Sequence, residues 1–215
     1  MDYFGLPYAS NSLLTKIKNG ISPADKFPPT EAYAFGSLVD ALITEPHKVN
    51  YASGLVAGIQ LSVAQIDAAK RMRDNFFRDP ICKNLFDMSD KQKELVIENM
   101  IFEFEGFEFE IGFKCKYDLF LRSAWYGVDI KTTAAKTQKQ FEESVFQFDW
   151  DRQGALYMDI PTQLTGEESK QFLIIGISKK APHKIFKLPI KRDDGWYNSG
   201  KSKYTELAFK LYQLL

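Results

Sequence analysis

Sulfur and imidazole are scarce in this chain: its 215 residues include two cysteines and two histidines. Cys82 and Cys115 form no Cys-x-x-Cys spacing, which excludes a four-thiolate zinc site and a four-cysteine iron-sulfur cluster and points to a reducing cytoplasm. His47 and His183 have no carboxylate or thiol at metal-ligand spacing, so both read as surface residues. An excess of one charge is missing too, since 28 basic residues balance 28 acidic ones. No global field draws such a protein to a polyanion, and any nucleic-acid contact has to come from a local patch. No apolar run nears the ~18 residues of a membrane span, and the opening MDYFGLPYAS lacks the basic and apolar regions of a signal peptide. A soluble cytoplasmic protein without a membrane partner is expected, and neither repeats nor low-complexity tracts complicate it.

What is present is apolar and aromatic: 45% of residues are hydrophobic and 14% aromatic, enough for one substantial core. The pattern along the chain predicts one domain over 1–215, with a mainly helical part at 1–92, a sheet core at 93–190 and a closing helix at 191–215. SNSLLTKIKN (10–19) reads as a short helix ended by Gly20 and followed by a proline-rich loop. TEAYAFGSLVDALITEP places Phe35, Leu38, Val39, Leu42 and Ile43 at helical intervals and stops before Pro46. A second amphipathic helix spans 62–79, capped by Ser62, with Lys70, Arg71 and Arg73 on a solvated face.

From Lys93 the hydrophobic period changes to two. Phenylalanine and glutamate alternate on both sides of Glu105-Gly106, which predicts a hairpin. In its second arm Phe107, Phe109, Ile111, Phe113, Cys115, Tyr117 and Leu119 share one face, leaving Glu108, Glu110, Lys114, Lys116 and Asp118 on the other. A strand at 126–132, a polar segment, the helix DWDRQGALYMDI, the strands QFLIIGISK and HKIFKLPI, and the helix KSKYTELAFKLYQLL complete an α+β layout, with a mixed sheet of about five strands.

The strand YGVDIKTT carries the unusual chemistry. Strand parity sends Val128 and Ile130 to one face and Asp129 and Lys131 to the other. If the turn after Leu121 centres on Ser123-Ala124, Asp118 lies opposite Asp129 and Lys116 opposite Lys131. Two facing carboxylates repel, and a hard divalent cation, Mg²⁺ or Mn²⁺, would compensate them while a neighbouring lysine orients a water. That is the equipment of phosphodiester hydrolysis. Asp-x-Lys on a sheet face also describes an ordinary surface ion pair. Gln153 and Tyr157, four apart, share a helical face. The basic segment SKKAPHKIFKLPIKR (178–192) suits either a DNA backbone or solvent.

Taken in order, KCKYDLF, YGVDIKTT and QGALY resemble the core of the PD-(D/E)XK nuclease superfamily, particularly the RecB-like branch with RecE and lambda exonuclease. Upstream, ISPADKF and AYAFGSLVDALITEP resemble the helical start of RecE-type phage exonucleases, in which a Gly-x-x-x-His helix precedes Leu-x-x-Glu-Pro. Here Gly36 is kept and Asp40 stands where the histidine is expected; aspartate also ligates a hard cation. The resemblance implies a restriction-endonuclease-like fold and a metal-dependent DNA exonuclease acting on linear duplex ends. It assigns catalysis to Asp118, Asp129 and Lys131. One or two Mg²⁺ (or Mn²⁺) ions would be held by Asp118, Asp129 and the Ile130 carbonyl, completed by Asp40 and by Glu98, which fits the auxiliary position better than Glu103. Gln153, Tyr157, Lys116 and Thr132 would support the site or touch DNA. A homo-oligomer and a single-strand annealing protein are the implied partners. An endonuclease, or an inactive DNA-binding or assembly module on the same fold, would share the pattern.

Overall fold

In the computed structural model, which describes residues 3–25, 30–49 and 53–215, the α-helices start at a capping side chain, except the helix Trp150–Thr165, whose N-cap Asp149 makes no such bond. Ser10 accepts from the Leu13 amide to open α1 (Asn11–Lys18), and Thr30 accepts from that of Tyr33 to open α2 (Glu31–Thr44). Residues 26–29, which hold part of ISPADKF and two prolines of the expected loop, lie outside the described residues. A two-residue ladder, β1 (Leu55–Val56) with β2 (Ile59–Gln60), precedes α3 (Val63–Arg78), which starts with a Ser62–Gln65 capping box. Asp79 ends α3 and caps α4 (Pro80–Met88), because Pro80 cannot continue the first helix and suits the first turn of the next. α4 has no counterpart in the sequence pattern, whose second amphipathic helix ends at 79.

The central sheet has the order β3-β4-β5-β6-β7, formed by β3 (Asp90–Phe104), β4 (Phe107–Leu121), β5 (Tyr126–Thr133), β6 (Gln171–Ser178) and β7 (Ile185–Lys191). All pairs are antiparallel except β5–β6. The fold class is therefore α+β with a five-stranded mixed sheet flanked by helices, as expected. The β3–β4 turn places both Glu105 and Gly106 at positive φ, the geometry of a tight hairpin with the right twist. Between β5 and β6 run α5 (Gln138–Gln147) and α6 (Trp150–Thr165), and α7 (Gly195–Tyr212) closes the chain. The "polar segment" before α6 is thus a helix: Phe141 and Val145, one turn apart, are its only buried residues. The last helix starts at Gly195, within the expected 191–215 and six residues before KSKYTELAFKLYQLL, since Asp194 caps it; at Gly200 a Cβ would lie 2.2 Å from the Asp151 carbonyl oxygen, so α6 and α7 can touch there only through glycine.

Two apolar clusters sandwich the sheet. Phe109, Ile111, Phe113, Cys115 and Tyr117 pack with α6 and α7 on one face, while Val128, Ile130 and Leu173 pack with α2 and α3 on the other. Strand parity foresaw these two sets with two exceptions. Leu119 joins the α2 side, because the alternation breaks at Asp118. Lys114 is buried, its Nζ donating to the carbonyls of Tyr3 (2.8 Å) and Leu6 (2.7 Å) in the N-terminal segment that crosses this strand. His183, expected at the surface, is also buried, with Nδ1 3.0 Å from the Ser178 carbonyl; His47 is exposed. No helix among the described residues is long and apolar enough to cross a membrane.

Candidate active site

Strands β4 and β5 pair over only three rungs, Leu121–Tyr126, Phe120–Gly127 and Leu119–Val128, and then part. Asp118 and Asp129 stand at the next position, where a fourth rung would have been, so the register anticipated from the turn is the one observed. In place of that rung, Asp118 Oδ2 accepts from the Ile130 amide at 2.6 Å. The opening becomes a cleft of about 370 Å³ lined by Asp118, Asp129, Ile130, Lys131 and Thr132, with Gly36, Asp40, Tyr33 and Ser37 of α2 across it. Five sequence-predicted residues and the Asp40 position are therefore in one place.

Each charged group there is held by a different element. Asp129 is buried and receives the Gln153 amide of α6 on Oδ1 at 2.6 Å. Its Oδ2 is buried and ion-paired with Lys131 Nζ at 2.7 Å, with no second partner. Asp40 is fixed by Thr44 Oγ1 (3.1 Å) and by the Gln92 amide (3.2 Å to each oxygen). Gln92 itself sits at φ 52, a left-handed conformation rare outside glycine, and so leaves the β3–β4 ladder opposite Asp118. Sequence reasoning missed Gln92, Tyr33 and Ser37; a φ value has no signature in the sequence.

Burial first, and like charges at close range after it, set the protonation. Burial pushes the Asp118 carboxyl well above the usual carboxylate range, and the neighbouring Asp40 and Asp129 push it further, with Lys131 and the Ile130 amide opposing. Burial also raises Asp40, from 3.8 to about 6. Burial works against the charge on Lys131, yet Asp129 and Asp118 outweigh it and its pKa rises. The cluster thus has three carboxylates against one ammonium and favours any cation that enters.

Not every predicted residue joins it. Glu98 is on β3 where the ladder shifts register, beside Gly112, and accepts from the Tyr8 hydroxyl at 3.3 Å. The β3–β4 register sets it several residues along the sheet from Asp118, so the spacing that suggested a metal ligand does not bring it to the cleft. Lys116 pairs across the ladder with Glu94 (3.6 Å) and not with Lys131, because β4 and β5 no longer pair at that point. Tyr157 is buried, its ring against Tyr117 and Phe172 and its carbonyl bonded by the Tyr117 hydroxyl at 2.6 Å. It supports the wall behind Gln153 and cannot touch a nucleotide there, since α6 is a core helix over 151–161.

Among the described residues no three His, Cys, Asp or Glu side chains are arranged to hold a metal ion. The residues nonetheless fit Mg²⁺, which keeps several waters and needs only one or two carboxylates. Asp129 supplies a buried oxygen whose one partner is the Lys131 ammonium, and Asp118 supplies a second oxygen beside it.

Sheet order, the parted strands and the Asp118, Asp129, Lys131 set define a PD-(D/E)XK protein. Residues 12–214 match the PDDEXK-like domain of unknown function (DUF3799), and the chain belongs to that family. Among solved structures it is similar to a protein from Eubacterium rectale assigned as an exonuclease, at 21% identity and TM-score 0.67, covering 96% of this chain and 79% of that one. A more distant likeness is to an alkaline exonuclease from Laribacter hongkongensis, at 12% identity and TM-score 0.41, covering 96% and 88%. Another is to a phage-related exonuclease from Haemophilus somnus, at 14% identity and TM-score 0.39, covering 94% and 93%. No curated protein matches in sequence.

Proposed function

We propose that this protein is a Mg²⁺-dependent deoxyribonuclease, a RecE-like exonuclease that hydrolyses phosphodiester bonds at linear duplex ends in phage or prophage recombination. One observation carries the reading: Asp118, Asp129 and Lys131 line one cleft at the point where β4 and β5 part, with Asp40 facing them from α2. Asp118, Asp129 and the Ile130 carbonyl would hold the ion, Mg²⁺ or Mn²⁺, with Asp40 meeting it through a water. When bound, it polarises the phosphoryl oxygen and lowers the pKa of a water.

The rest of the work belongs to side chains. Gln153 fixes the Asp129 carboxylate by its hydrogen bond, leaving the second oxygen to face the cleft. Lys131, charged at neutral pH because its carboxylate neighbours raise its pKa, orients the attacking water and compensates charge that grows on the phosphoryl oxygens. Thr132, on the cleft wall beside Gly36, is placed to bond a phosphate oxygen. A homo-oligomer and a single-strand annealing partner belong to the same reading, as does a cytoplasmic setting.

The test is Mg²⁺-dependent nucleotide release from linear duplex DNA by wild type, Asp129→Ala and Lys131→Ala. Wild type should release nucleotides and both variants should lose at least 100-fold in rate, the scale of removing one preorganised charge-stabilising group. Equal activity in all three refutes the assignment. Closed circular DNA separates exonuclease from endonuclease, because an enzyme that needs an end leaves circles intact.

A further inference from the structure

The basic residues singled out along the sequence divide cleanly once their partners are known. On α3, Lys70 faces Asp67 (3.6 Å) and Arg73 grips Asp74 (2.6 Å). On β7, Lys187 is paired with Asp79 (2.5 Å). Those cations are neutralised locally. Arg71 and Arg78 of α3 and Lys179, Lys180 and Lys184 of the β6–β7 loop are exposed and have no carboxylate within ion-pair distance among the described residues.

The two elements that carry them are joined by Asn75, which lies between Arg71 and Arg78 on α3 and whose side-chain amide donates to the carbonyls of Pro182 and His183 in the loop. Arg71, Asn75, Arg78 and His183 share a cleft of about 380 Å³, whose one acid, Asp74, is already held by Arg73. The loop is closed at its base by the Ser178 amide to the Lys184 carbonyl (2.9 Å) and by the buried His183 ring, so the backbone that carries its lysines is set before anything binds. Its near end adjoins the carboxylate cleft: the Lys179 amide donates to the Thr133 carbonyl at 2.7 Å, two residues beyond Lys131. Lys179 also lines a groove of about 540 Å³ with Phe35 and Ala32, and Ala32 borders the carboxylate cleft as well. Glu31, the acid of that groove, is already engaged by the Gln65 amide.

We propose that Lys179, Lys180, Lys184, Arg71 and Arg78 form a track for the backbone of duplex DNA leading from the carboxylate cleft across the β6–β7 loop to α3. The inference rests on the nuclease reading for its choice of polyanion. Arg71 and Arg78 are seven residues apart, roughly 10 Å along the helix, about three base pairs of rise along a duplex axis. In a chain of zero net charge, five cations against the single carboxylate of Asp74, itself paired with Arg73, make a net cationic surface beside the site, carried by a closed loop and a helix.

The experiment measures binding of a fluorescein-labelled 20-base-pair duplex across a salt series in the absence of divalent ions, with Mg²⁺-dependent hydrolysis by wild type measured in parallel. The variants are Lys179→Gln/Lys180→Gln/Lys184→Gln, Arg71→Gln/Arg78→Gln, and a control, Lys83→Gln/Lys210→Gln, whose lysines are already paired with Asp87 and Glu206. Each lost phosphate contact should flatten the slope of log K against log salt by ~0.9, hence by roughly 2 to 3 in the loop variant and 1 to 2 in the helix variant. The control should keep the wild-type slope, and thermal unfolding should be unchanged in all three because every substituted side chain is exposed. Unchanged slopes in both test variants, an equal loss in the control, or no wild-type binding overturns the track. Salt-dependent binding that these variants weaken, without wild-type hydrolysis, upholds the track and refutes the nuclease reading instead.

Discussion

Asp40 is the position where the chain departs from the RecE-type pattern, and Asp40→Asn reports on it without an activity assay. Burial leads the rise of its pKa from 3.8 to about 6; the Thr44 and Gln92 hydrogen bonds hold it down, and the Asp129 and Glu45 carboxylates add to it. The sign follows from linkage. A carboxyl raised on folding favours the folded state only while it is protonated, an advantage present below about pH 4 and lost as pH rises through about 6. Above that window the ionised carboxylate costs the wild type roughly 3 kcal/mol, at 1.36 kcal/mol per pKa unit. Asparagine cannot ionise and escapes this cost, but it accepts hydrogen bonds from Thr44 and Gln92 less strongly, a loss of ~1 kcal/mol. In the absence of metal, Asp40→Asn should therefore be more stable than wild type at pH 8 by ~2 kcal/mol, or ~4–8 °C in Tm for a chain of this size. The advantage should shrink below pH 6 and vanish by about pH 4. Thermal and urea unfolding in chelator at pH 4, 5, 6, 7 and 8 measure it. A difference that is flat across this range, or a wild type more stable at pH 8, refutes the repulsive carboxylate cluster.

Three further outcomes follow from other contacts. Gln153→Leu removes the amide that orients Asp129 and should weaken Mg²⁺ binding by ~10–100-fold, read by titration calorimetry; unchanged affinity would show that the amide positions nothing. Gly176→Ala places a Cβ 2.3 Å from the Phe141 ring and should cost ~1–3 kcal/mol by urea unfolding, since neither β6 nor the buried ring has room to yield; a neutral substitution would contradict that packing. Asp159→Leu strips the carboxylate that Arg192 (2.8 Å), Tyr197 and Tyr204 share beneath α7 and should cost ~3–5 kcal/mol, because a half-buried guanidinium and two hydroxyls lose their partner; a loss below ~1 kcal/mol would mean the network is not cooperative.

The match to the PDDEXK-like family and the parted strands together explain why some residues were legible in the sequence and others were not. Asp118, Asp129 and Lys131 could be read because side-chain period and turn length are local quantities, and the register follows from them. Glu98 could not, because spacing along a strand says nothing about how far a register shift and a long hairpin carry a residue from the site. Tyr157 shared a helical face with Gln153 as expected, but whether that face meets solvent or a sheet depends on what packs against α6.

Local chemistry in the sequence by itself determined the helix caps, the hairpin at Glu105-Gly106, the two faces of β5 and the order of the acidic and basic residues. Only the tertiary structure decided that Asp40 of α2 would face Asp118 and Asp129, that Gln92 would take a left-handed conformation to hold it, and that two basic segments more than a hundred residues apart would meet at Asn75. The physical reason is the same in each case. Caps, turns and alternation are settled by neighbours in the chain, whereas a repulsive cluster or a shared surface exists only when packing of the two apolar faces pays for bringing distant groups together.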